Sequence, residues 1–134
     1  MPAWGRPARR ATIMRVTVSV LIVDDHSGFR RRARRLLEAE GYAVVGEAGD
    51  GADGVAAARE LAPDLVLLDV NLPDRDGFAV AEELTTGAAP PAVVITSTRD
   101  AADVAARVRS CGARGFVPKA ELSGAALDAV LAEG

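Results

Sequence analysis

Apolar positions recur along this chain in two rhythms that take turns. Strand-length apolar runs lie at "VTVSVLIVDD" (16–25), "YAVVGEA" (42–48), "DLVLLDV" (64–70), "PAVVITS" (91–97) and "GFVP" (115–118). The first alternates and then becomes continuously apolar, as a central parallel strand does. Between them the spacing turns helical. "SGFRRRARRLLEAEG" places Phe29, Ala33, Leu36 and Leu37 on one face, with Ser27 predicted as its N-cap and Gly41 at its end. "DGVAAARELAP" has Asp53 near its start and Pro63 beyond its end. "GFAVAEELTTG" follows, then "DAADVAARVRSCG" with Asp100 as its predicted cap. "SGAALDAVLAE" closes the series with Leu127, Val130 and Leu131 inward.

Five strands alternating with five helices predict an α/β fold, a doubly wound parallel sheet with helices on both faces, because parallel strands need crossover connections. Such sheets place their sites outside the carboxyl ends of the strands. The residues there are Asp24 and Asp25, Asp69, Thr96 and Ser97, and Lys119.

Composition narrows the class. At 134 residues, 49% apolar and 26% charged, the chain reads as one globular domain with a real core. A net charge of −3 argues against nucleic acid as the main partner, and no apolar run approaches the roughly 20 residues that span a bilayer. Cys111 is alone, so no internal disulfide forms and a reducing cytoplasm fits. Residues 1–14 have no periodicity and no signal-peptide core; they read as a disordered arm, with Met14 as an alternative start and the domain at 15–134. Of the 16 cations, 15 are arginine, and the one lysine is Lys119. What lysine offers that arginine does not is a compact ammonium charge.

The constellation at the strand ends is chemically pointed. "LVLLDVNLPDRDG" (65–77) runs from a greasy strand straight into Asp69. Three neighbouring carboxylates would raise one another's pKa unless a cation intervened. Mg²⁺ suits such a site, since it takes one or two carboxylates and reserves positions for phosphate oxygens. An aspartate so placed can attack phosphorus and form an acyl phosphate, with Lys119, the metal and the Thr96 hydroxyl on the phosphoryl oxygens.

"VLIVDDH", "LLDVNLPDRDG", "VVITS" and "GARGFVPKA", in this order and over about residues 16–133, resemble the receiver domain of two-component response regulators. The resemblance implies a flavodoxin-like fold, with Asp69 as the phosphoacceptor. Asp25 would ligate Mg²⁺ directly, Asp24 mainly through water, and Asn71 through its backbone carbonyl. Thr96 would be the switch hydroxyl, Lys119 the phosphate-binding lysine, and Phe116 the aromatic that turns inward on activation. The implied phosphodonor is a histidine kinase or phosphotransfer protein, or a small phosphodonor. The implied output is contact with a downstream protein, or a homodimer, through the face of the fourth helix, fifth strand and last helix. No contact with nucleic acid or membrane is implied for this chain. The family often has proline after the lysine; here Pro118 precedes Lys119 and Ala120 follows it. Counting from Pro91 selects Thr96 as the hydroxyl, whereas counting back from Lys119 favours Ser97.

Other readings compete. "GDGADG" (49–54) matches the dinucleotide-binding pattern G-x-G-x-x-G, but Asp50 and Asp53 stand where pyrophosphate needs bare amides. "RRRARR" reads first as a solvated helix face and second, by resemblance, as a kinase-docking surface. His26 reads as a solvated residue at a helix start; Pro73 and Gly77 shape the loop. A phosphatase of the haloacid dehalogenase type also ends a strand in a nucleophilic aspartate, but wants an acid where Asn71 stands. A contact-only module with this fold, and a receiver fragment of a larger DNA-binding regulator, complete the alternatives.

Overall fold

The computed structural model describes residues 17–98 and 101–133. Five strands form one parallel sheet: β1 (Ser19–Val23), β2 (Ala43–Ala48), β3 (Leu65–Asp69), β4 (Ala92–Ser97) and β5 (Gly115–Pro118), in the order β2-β1-β3-β4-β5. Five helices cross between them: α1 (Ser27–Ala39), α2 (Gly51–Leu61), α3 (Gly77–Thr85), α4 (Ala101–Ser110) and α5 (Gly124–Glu133). A 3₁₀ turn, Lys119–Glu121, leads from β5 towards α5. This is the doubly wound α/β architecture that the alternation predicts.

The sheet is apolar on both faces because both are covered. Leu21, Val66, Leu68, Val93 and Ile95 face α2, α3 and α4, while Val20, Ile22, Leu65, Leu67 and Val94 face α1 and α5. All of β3 is buried, its terminal Asp69 included.

Element ends follow local chemistry. Gly41, at φ 97°, ends the α1 turn in a conformation that side chains rarely adopt. The predicted cap of α1 shifts by one residue. His26, not Ser27, is the N-cap, and no side chain caps the helix there. Ser27 is already helical, because the chain turns early to bring the His26 amide onto Asp24 Oδ1 at 2.8 Å. Asp50 caps α2 through the Asp53 amide. Asp100 and the arm of residues 1–14 lie outside the described residues.

Gly77 opens α3 where the chain folds back onto β3. A Cβ there would stand 2.3 Å from the Asp69 carbonyl oxygen and 2.5 Å from Val70 Cα, both backbone atoms that cannot yield cheaply. Gly77→Ala is therefore expected to cost at least about 2 kcal/mol of unfolding free energy in urea titration; a loss below about 0.5 kcal/mol would show that the loop has room to move.

Candidate phosphoacceptor and metal site

The strand order makes β1 and β3 neighbours, with β4 and β5 next in line, so four strand ends meet at one rim. Asp24, Asp25, His26 and Asp69 each direct a ligand atom into a group whose members all lie within 4.8 Å of one another. Asp24 and Asp69 are 0% and 2% exposed. Lys119 Nζ reaches in from the end of β5, 2.7 Å from Asp24 Oδ2 and 3.4 Å from Asp69 Oδ2. The lysine thus pairs more closely with Asp24 than with Asp69. Its ammonium also lies 4.7 Å from the centroid of the Phe29 ring on α1, a cation–π contact that the sequence pattern reads only as core packing.

Strand parity separates the two hydroxyls. Asp69 and Thr96 are register partners on β3 and β4, and they follow Leu67 and Val94 on the face towards α1 and α5. Ser97 follows Ile95 on the opposite side of the pleat. Thr96 Oγ1 is buried, with no hydrogen-bond partner among the described residues. Buried hydroxyls ordinarily find partners, so this one is free for a group that enters the site. Phe116, one strand further, is half-buried and packs against the core on the α4 side.

Burial and the neighbouring Asp24 charge push the Asp69 carboxyl above its ordinary range; Lys119 and the Asn71 amide, 3.3 Å from Asp69 Oδ1, oppose this only in part. Three carboxylates against one ammonium leave two negative charges in excess. A hard divalent cation cancels that excess, and the oxygen-rich donor set fits Mg²⁺. Asp25 and Asn71 line an open cleft of about 370 Å³ beside the group, which also meets Pro73, Arg75, Asp76 and Arg107.

The loop after Asp69 is pinned on three sides, and sequence reasoning missed all three. Asp74 accepts from the Gly51 and Ala52 amides at 2.7 and 3.0 Å, contacts that hold its carboxyl below the ordinary range. With Asp50, it fills the helix start where "GDGADG" would need bare amides. Arg75 pairs with Glu83 at 2.8 Å. Asp76 caps α3 through the Phe78 amide and pairs with Arg107 of α4 at 3.0 Å, while the Arg107 guanidinium lies 4.2 Å from the Phe78 ring centroid. On α1, Arg30 binds both Glu47 and the Asp24 carbonyl, and Arg34 binds Glu47, so of "RRRARR" only Arg30 reaches the acid pair; Arg31, Arg32 and Arg35 are exposed.

Residues 20–131 match the response regulator receiver domain, and the chain belongs to that family. It is similar to the transcriptional regulatory protein PdtaR of Mycobacterium tuberculosis, 40% identical over 75% of this chain and 48% of the relative. It is also similar to a protein-glutamate methylesterase/protein-glutamine glutaminase of Alkalilimnicola ehrlichii, 37% identical over 80% of this chain and 28% of the relative. A two-component response regulator of the LuxR family from Aurantimonas superposes with a TM-score of 0.79 at 33% identity, covering 87% of this chain and 86% of that one. The chain spans about half the length, or less, of the curated relatives it matches.

The raised Asp69 pKa has a signed consequence. Neutral Asp69 suits the folded state, and that contribution is lost as pH rises through its folded pKa. In EDTA, Asp69→Asn is expected to be more stable than wild type at neutral pH, the advantage shrinking as pH falls towards the ordinary carboxylate value of 3.8. Thermal unfolding across that range checks it; an advantage that grows in acid would contradict it.

Proposed function

We propose that this receiver takes a phosphoryl group on Asp69 from a histidine kinase or phosphotransfer protein, with Mg²⁺ held by Asp25, Asp69 and the Asn71 carbonyl and, through water, by Asp24. What carries the reading is the convergence of three acids and the chain's single lysine at one rim of the sheet. An Asp69 carboxylate oxygen attacks phosphorus, the P–N bond of the donor phosphohistidine breaks, and its electron pair stays with the departing imidazole. Bound Mg²⁺ supplies positive charge to the phosphoryl oxygens. Lys119 shifts its charge from the carboxylates to the new phosphoryl group, and Thr96 Oγ1 donates to one of its oxygens. The loop at Thr96 and the Phe116 ring then bias a two-state surface formed by α4, β5 and α5, where a downstream protein or a second copy binds. The reactions assigned to the chain are at most self-catalysed phosphotransfer to Asp69 and autodephosphorylation, and a free, buried Cys111 fits a cytoplasmic location. Among the described residues no helix is long and apolar enough to cross a membrane.

A second reading concerns the setting. PdtaR is named a transcriptional regulatory protein and is about twice as long as the stretch matched, which favours this receiver serving a transcription-regulating output in a longer protein.

Incubation with Mg²⁺ and acetyl phosphate, followed by intact-mass measurement, tests the chemistry. The wild type is expected to gain one phosphoryl group, Asp69→Asn none, and Lys119→Met to acquire it roughly a hundredfold more slowly. An unmodified wild type would favour a contact-only module, and an adduct that persists in Asp69→Asn would move the acceptor elsewhere.

A further inference from the structure

His26 is the chain's only histidine, and although its ring is mostly exposed, one ring nitrogen lies against the acid cluster. Nδ1 stands 3.1 Å from Asp25 Oδ1 and 3.3 Å from Asp24 Oδ1. The backbone holds it there, since the His26 amide donates to that same Asp24 oxygen at 2.8 Å and the His26 carbonyl accepts from Arg30 N. Ligand atoms in adjacent positions of an octahedron with bonds of about 2.1 Å stand about 3.0 Å apart. The nitrogen and Asp25 Oδ1 therefore already have about the spacing of adjacent donors to one small ion, and the ligand atoms of the whole group lie within 4.8 Å of one another. An independent observation marks the rim as built for a ligand: the hydroxyl of Thr96, the register partner of Asp69, is buried with no hydrogen-bond partner among the described residues.

From this geometry we infer that His26 Nδ1 is an additional metal ligand, making the site a mixed nitrogen–oxygen centre that takes first-row transition ions in preference to Mg²⁺. The inference rests on the reading of this rim as a metal site and specifies which metals it accepts. Mg²⁺ is satisfied by oxygen and gains little from an imidazole. Affinity at sites containing imidazole rises instead along the series from Mn²⁺ to Ni²⁺ and Cu²⁺. The ring is 69% exposed, so it can turn its nitrogen to an arriving ion without repacking the core.

The test uses the chain without an affinity tag, so that His26 remains the only imidazole. Calorimetric titration with Ni²⁺ and, separately, Mg²⁺ is expected to give tighter binding of Ni²⁺. His26→Gln should lose about tenfold or more of the Ni²⁺ affinity while changing the Mg²⁺ affinity by less than about twofold. In NMR spectra, Ni²⁺ should broaden the imidazole resonances of the wild type at the first equivalent. Ni²⁺ affinity unchanged by His26→Gln would overturn the inference and leave the Mg²⁺ site intact. Equal losses for both ions would also overturn it, because the ring would then only brace the acids. Failure of the wild type to bind either ion would remove the metal site itself, and this inference with it.

Discussion

One ammonium holds this site together. Lys119 is nearly buried between two nearly buried carboxylates, with an aromatic ring against its charge. Charges that deep are expensive in isolation, and pairing offsets the cost only when geometry and hydrogen bonding are good. The pairing here is incomplete by construction. Two acids share one cation, a third stands at the rim, and Asp69 remains harder to ionise than a free carboxylate. That residual imbalance is what the proposed divalent ion and, through Lys119, the proposed phosphoryl group would relieve. A site that was fully neutral when empty would have little to gain from either.

The scaffold's task is to keep mutually repelling groups together. The strand order sets β1 beside β3, and the parallel register aligns Asp69 with Thr96. The loop beyond Asp69 is fastened to α2, α3 and α4 by three acidic or basic residues in succession, Asp74, Arg75 and Asp76. Exposed ion pairs of this kind contribute little singly. Their value lies in position, because each ties the segment next to Asp69 to a different helix. The contact of Arg107 with both Asp76 and Phe78 gives α4 a direct grip on that segment.

Much of this was legible beforehand, for physical reasons. Periodicity reports which faces are buried, so element types and the strand-end residues follow from it. "GFVP" is assigned to the residue, and most other strands to within one or two. Periodicity does not report which distant residues meet. Nothing in the spacing joins Arg107 to Asp76, or Phe29 to Lys119, since these contacts depend on how α1 and α4 settle on the sheet. His26 is a solvated residue at the helix start, as the sequence suggests; what the sequence does not report is that the backbone turn at the α1 N-cap, one residue earlier than Ser27 suggests, leaves its Nδ1 beside the acids. Thr96 and Ser97 cannot be separated by counting from either side, yet the pleat separates them at once.

The central claim is that the three acids and Lys119 form a single pocket for a metal and a phosphoryl group. A crystal structure with Mg²⁺ and beryllofluoride, which mimics a phosphoryl group on a carboxylate, tests it most directly. The account predicts beryllofluoride on Asp69 Oδ, with Lys119 Nζ and Thr96 Oγ1 each within hydrogen-bond distance of a fluoride and Mg²⁺ against Asp25. Beryllofluoride on another residue, or Lys119 turned away from the adduct, would contradict it.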